Sequence, residues 1–225
     1  MIKIENVEIY GWETAIRGMR NPMNSWEKSD SYPAVDCGKC GKIEREGCCT
    51  AEGRDCTGFY CYEIGKNDFA LMKSLAAAGP DHGKFLRMIT VTADITAPLY
   101  WYKEYDTYKV GTVANSCSTM HKIHAKEFTL DDFSCEHLYA PLQDLRPTID
   151  LLNVYQERYL ETKDKNDWWQ MIQLLPSSYN QRRTVQLNYA VLKNIYHARR
   201  NHKLDEWNLF CGWIERLPYS ELITG

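Results

Sequence analysis

Polar and apolar positions alternate at two places in this chain. Lys3–Tyr10 alternates weakly, through Ile4, Val7 and Ile9, and Leu86–Ile95 (LRMITVTADI) alternates and is rich in β-branched residues. Both patterns carry the period of a half-buried strand. Elsewhere the apolar period is helical. Trp12–Arg20 reads as a helix stopped by Asn21-Pro22, because a proline pushes the residue before it out of helical backbone. Asn67 or Asp68 is expected to cap a helix running to about Ala78, with Gly79-Pro80 as its stop. Ala97–Tyr105 predicts a short helix with Pro98 in its first turn. Thr107–Met120 is rich in small residues and reads as loop or short extended segments, and Thr129 caps a turn. Leu145, Ile149, Leu152, Tyr155 and Tyr159 place a helix over Asp144–Lys163, and a second follows over Asp167–Leu174, stopped by Pro176. Arg182–Asn188 reads as a short extended segment, and Tyr189–Arg200 and Leu204–Leu217 as two final helices. Strands and helices are mixed without regular βαβ alternation, which predicts an α+β fold over a doubly wound one.

Between Asn24 and Gly65 the periodicity disappears, and glycine, cysteine and charge take over. The reading is therefore one domain over 1–225 with a cysteine-rich insert over 33–64. Cys37-Gly38-Lys39-Cys40 is a thiolate knuckle, followed by Cys48, Cys49, Cys56 and Cys61. Two such pairs make a closed tetrahedral zinc site, so Cys37 and Cys40 with two of the later four are the expected ligands. Cys56 and Cys61 are taken as the second pair. Idle thiols are the alternative, and the spacing is not that of a ferredoxin cluster.

Composition narrows the function classes. Hydrophobic residues make up 44% and charged residues 25% of the chain, which suits a packed core rather than disorder. A formal net charge of -3 argues against coating nucleic acid by bulk electrostatics. The opening MIKIENVEIYGW has no apolar export core, and no apolar run approaches the ~18 residues of a membrane span. The expected compartment is the cytoplasm, where thiols stay reduced.

The segment His82–His121 carries more information. It places a histidine, a strand and a helix ahead of Tyr108–Met120, and in this order it resembles the central block of the flavin-dependent thymidylate synthases, whose signature is RHRxxSxNExSxR. Counted without a gap from His82, Asn115 falls on the motif asparagine and Ser118 on its second serine. The RHR triplet is Tyr108-Lys109-Val110 here, the first serine is Val113, the glutamate is Ser116 and the last arginine is Met120. Arg183 and Val185 keep the spacing of the family's ARxVLP segment, and Arg200 lies seven residues before Trp207, as a family arginine precedes the aromatic residue of a late helix. Ala15-Ile16-Arg17 is loosely similar to the family's AAR segment. The resemblance covers roughly 1–22 and 66–217.

The resemblance implies the family's fold and a reductive methylation of dUMP to dTMP, with FAD as cofactor and NADPH and methylenetetrahydrofolate as co-substrates. It implies a homotetramer with sites shared between subunits. Arg183 and Arg200 would hold dUMP, Arg200 also polarising it as the catalytic residue. His82, Lys109, Asn115 and Ser118 would face flavin or nucleotide. Guanidinium forks bind phosphate bidentately, which suits Arg182, Arg183, Arg199 and Arg200 to a nucleotide; salt bridges to Asp205, Glu206 and Glu215 are the plainer use. His82 could cap its turn, and Asn115, Ser116 and Ser118 could serve local turn bonds. Tyr100, Trp101, Tyr102 and Tyr105 offer either a stacking surface for a flavin or a core. The competing reading is a catalytically inactive nucleotide- or nucleic-acid-binding protein that keeps the fold and a structural zinc.

Overall fold

A computed structural model describes residues 1–36 and 59–225. In chain order the elements are β1 (Lys3–Tyr10), α1 (Trp12–Arg20), β2 (Tyr32–Asp36), β3 (Phe59–Glu63), α2 (Lys66–Ala77), β4 (Thr90–Pro98), α3 (Leu99–Tyr105), β5 (Val113–Ser116), α4 (Pro141–Asp144), α5 (Arg146–Thr162), α6 (Lys165–Leu174), β6 (Asn180–Asn188), α7 (Tyr189–Arg199), α8 (Asp205–Glu215) and α9 (Glu221–Thr224). Short 3-10 turns join some of them. The fold is α+β, and no helix among the described residues is long and apolar enough to cross a membrane. The chain divides into two compact units, one of Met1–Ile9 with Thr90–Thr224 and one of Tyr10–Ile89.

The larger unit is built on a four-stranded sheet in the order β1-β4-β6-β5. β4 and β6 pair antiparallel along their whole length, from Thr90 opposite Asn188 to Pro98 opposite Asn180. β5 covers the other edge of β6, with Ser116 opposite Arg183. Val91, Ala93, Ile95 and Ala97 are buried while the threonines between them are not, as the period of two requires. The predicted strand over Leu86–Ile95 therefore starts later and runs further. Phe85 and Leu86 are both buried, a pattern no half-buried strand can satisfy, and Gly83–Met88 forms a 3-10 helix instead. Pro98 closes β4 because it has no N–H to give the ladder. α3 then starts, its Leu99 and Tyr100 amides donating back to Tyr179 and Ser177 at 3.0 Å each.

α3 supplies the aromatic heart of this unit. Trp101, Tyr102 and Tyr105 are buried, and Trp101 meets Trp207 at 4.8 Å and Tyr105 at 5.1 Å between ring centroids. Each buried ring of this size contributes on the order of 2–3 kcal/mol by leaving water. These rings are packed as core, at most 2% exposed, which favours the core reading over a stacking surface. A second cluster joins Ile123, Phe128 and Phe133 to Ile149 and Leu152 of α5 and Met171 of α6. Asp164 caps α6 by accepting from Asn166 N at 2.9 Å, so that helix starts earlier than Asp167. Thr129 and Asp132 form the expected turn as a reciprocal capping box.

The unit Tyr10–Ile89 holds two elements that the lost periodicity hid. β2 and β3 form an antiparallel pair, from Tyr32 opposite Glu63 to Asp36 opposite Phe59. α2 is capped neither by Asn67 nor by Asp68. Asp30 reaches across instead, accepting from Asn67 N at 2.9 Å and Asp68 N at 3.0 Å. Asp68 is wholly buried and accepts from Arg20 Nε at 2.7 Å, Ser29 Oγ and Ser31 Oγ at 2.6 Å each, and Asp30 N at 3.1 Å. Burial opposes its ionisation, but the hydrogen bonds from Ser29, Ser31 and Arg20 outweigh it and hold the carboxyl below the usual range. Gly11 enters α1 at a φ of 93°, and a Cβ there would sit 2.0 Å from the Met88 carbonyl oxygen.

Candidate functional site

The end of α3 and the turn after it form a cleft of about 380 Å³, lined by Tyr105, Asp106, Tyr108, Lys109, Thr112 and Ala114. Asp106 closes the helix, its N–H donating to Tyr102 O at 2.8 Å, and Tyr108 N donates to Tyr105 O at 3.0 Å. Gly111 turns the chain at a φ of 79°, where a Cβ would meet Asn188 Nδ2 at 3.0 Å and Val191 Cγ2 at 3.1 Å. Only glycine lets this turn lie against the start of α7 without displacing it.

Arg183, on β6, meets the cleft residue Asp106. Its Nη1 donates to Asp106 Oδ1 at 2.7 Å and its Nε to Gln181 Oε1 at 2.9 Å. Its guanidinium lies 3.7 Å from the centroid of Tyr102, a close cation–π contact. Three contacts on three sides fix the fork, and Nη2 is left without a partner among the described residues. Arg199, on α7, meets the cleft residue Tyr108. Its Nε donates to the Tyr108 hydroxyl at 2.9 Å, its Nη1 to Glu104 at 2.5 Å, and it lies 5.0 Å from the Trp207 ring. Glu104 also accepts from Trp207 Nε1 at 3.1 Å and faces His202 Nε2 at 3.3 Å. Tyr105 is buried, yet its hydroxyl has no hydrogen-bond partner among the described residues. Burial first, then the neighbouring Asp106 charge, pushes that phenol well above its ordinary pKa.

The residues expected from the sequence divide between places. Lys109 lines the cleft, is exposed, and has no carboxylate partner among the described residues. Asn115 is exposed on the edge strand β5, next to the cleft residue Ala114. Ser118 lines a different and larger cavity of about 690 Å³, and its Oγ accepts from Met120 N at 3.2 Å and His121 N at 2.9 Å, which is local turn chemistry. Every cation on that larger wall already has a carboxylate: Lys3 with Glu5, Lys126 with Asp132, Arg182 with Asp94, and the Met1 amino group with Glu136. His82 is exposed in the unit Tyr10–Ile89, ahead of the 3-10 helix, and makes no side-chain cap bond. Arg200 is exposed beyond α7, with its guanidinium 6.0 Å from the Tyr196 ring, and does not line the cleft. Cys37, Cys40, Cys48, Cys49 and Cys56 lie outside the described residues, and Cys61 stands on β3 opposite Ala34.

The arginines pair with Asp94, Asp106 and Glu104, not with the carboxylates of α8. On the opposite face of the sheet, hydrogen bonds from Thr184, Asn6 and Arg182 hold Asp94 well below the usual carboxylate range. Nothing in the sequence pointed to Asp106, and Arg199 was grouped with the other arginines without being set apart from Arg200. Arg199 continues the buried face Leu192, Ile195 and Tyr196 at helical spacing and is half-buried, whereas Arg200 is exposed.

No protein-family model matches the sequence, and no curated protein matches it. Solved structures do. Thymidylate synthase X from Helicobacter pylori with FAD and dUMP superposes with a TM-score of 0.65 at 15% identity, covering 100% of this chain and 97% of that one. A second structure of the Helicobacter pylori enzyme with FAD and dUMP gives 0.63 at 14% identity, over 98% and 97% of the two chains. A UMP/dUMP methylase from Streptomyces cacaoi bound with 5-Br dUMP gives 0.56 at 14% identity, over 98% and 93%. End to end, the chain has the fold of the flavin-dependent thymidylate synthases.

Proposed function

We propose that this chain is a dUMP-binding protein of the thymidylate synthase X type, acting in the reductive methylation of dUMP to dTMP. The observation that carries the reading is Arg183: it matches the family spacing, and Asp106, Gln181 and Tyr102 fix it beside a cleft in a fold shared with dUMP-bound structures. Lys109, an unpaired cation on the same cleft, suits the nucleotide phosphate. Arg200, exposed at the end of a helix, is assigned to nucleotide held by a neighbouring copy, in keeping with a homotetramer whose sites cross subunits.

FAD, when bound, would supply the hydride chemistry, with NADPH as reductant and methylenetetrahydrofolate as carbon donor. The residues assigned to it do not converge within one chain. Lys109 and Asn115 lie at the cleft and its edge, Ser118 lines the other cavity with its hydroxyl engaged in a turn, and the α3 rings are buried. What these residues do is bind and orient a nucleotide between fixed guanidinium groups in a concave site.

Tyr108-Lys109-Val110 standing where the family has RHR favours a second reading, a nucleotide-binding protein without catalysis. Incubating the purified protein with FAD, NADPH, methylenetetrahydrofolate and dUMP distinguishes them. Formation of dTMP supports the synthase; dUMP binding with no dTMP supports the binding protein; no dUMP binding refutes both.

A further inference from the structure

We propose that Asp106 and Arg183 together read the ring edge of the nucleotide and select uracil over cytosine. The assignment rests on the reading that this cleft binds a pyrimidine nucleotide. Asp106 uses Oδ1 for Arg183 Nη1 at 2.7 Å, and its side chain is 50% exposed, with Oδ2 unpartnered among the described residues. Arg183 has Nη2 to spare and is held from moving by Gln181 Oε1 at 2.9 Å and the Tyr102 ring at 3.7 Å. An acceptor and a donor thus belong to one ion pair, whose arginine is held by two further contacts.

That pair complements an imide edge, an N–H between two carbonyls. Asp106 accepts from the ring N3–H, and Arg183 donates to the adjacent carbonyl. An ionised carboxylate only accepts. Cytosine, whose N3 carries no proton, would set acceptor against acceptor. A site built to pair a ligand N–H discriminates strongly against a ligand that lacks it, since its own polar group is then left unpaired.

Asp106→Asn tests this in the full-length protein. The amide keeps the shape, retains one oxygen for Arg183, and puts an NH2 where the second oxygen was. Asparagine suits the end of a helix, and the thermal midpoint reports whether the fold is kept. Titrations with dUMP and dCMP are expected to show the wild type preferring dUMP by roughly tenfold to a hundredfold, about one charge-assisted hydrogen bond. The variant is expected to lose that preference or to invert it. If the wild type binds dUMP and the variant keeps the same preference, or weakens toward both nucleotides equally, the assignment of Asp106 is overturned. A wild type that binds neither nucleotide overturns the underlying reading as well.

Discussion

Asp68→Asn should destabilise the unit Tyr10–Ile89 more than any other single polar change in it. The wild-type carboxylate is wholly buried and faces Arg20, itself 5% exposed, at 2.7 Å. Removing one member of a buried ion pair leaves the other charge uncompensated, at a cost of about 3–5 kcal/mol. Ser29 and Ser31 both donate to the same oxygen, Oδ2. An asparagine can keep only one side as acceptor, so the loss falls at the upper end of that range. For a chain of this length the thermal midpoint should fall by roughly 6–20 °C. The pH dependence follows from the depressed pKa of Asp68. Its contribution is present above the unfolded value near 3.8 and is lost as pH falls through the lower folded value. Wild type and variant should therefore differ widely at pH 7 and converge only as pH falls below the lowered folded value. Thermal unfolding followed by circular dichroism across this pH range reads this out. A midpoint shift under about 2 °C at pH 7 would refute the argument that Asp68 neutralises a buried guanidinium.

Arg183→Ala should weaken dUMP binding by roughly tenfold to a hundredfold, the worth of one charge-assisted pair, as read by calorimetric titration. Tyr105→Phe should raise the stability of the free protein by about 1–3 kcal/mol in urea unfolding, because it removes a buried hydroxyl with no partner; a drop would show that the hydroxyl is satisfied. Protein purified without added metal should contain about one zinc per chain by elemental analysis, as four thiolates form one closed site, and neither zinc nor iron would sink the metal reading of Cys37, Cys40, Cys56 and Cys61.

Most of the fold was legible because long amphipathic helices and strands carry their period openly. α5, α7, α8 and β1 fall close to where their patterns put them. β5 falls inside a stretch read as loop or short extended segments; it could not be placed more closely because all four of its residues are exposed on a sheet edge, so no apolar alternation marks it. β2 and β3 were hidden among cysteines, glycines and charges. The cap of α2 was not legible at all, since its carboxylate comes from Asp30, far along the chain from the helix it caps. The site was half legible. Arg183 was marked by spacing and bonds the cleft residue Asp106, but Asp106, which gives that arginine its orientation, belongs to no motif. Motif counting favoured Arg200, while the physical face of α7 carries Arg199 to the Tyr108 hydroxyl.

The central claim is that this fold still holds dUMP beside Arg183. Titrating dUMP into FAD-supplemented wild-type protein, with Arg183→Ala in parallel, tests it most directly. Saturable binding is expected for the wild type, with a loss of tenfold or more, the worth of one charge-assisted bond, in the variant. Absence of dUMP binding, or equal binding by both proteins, would contradict it.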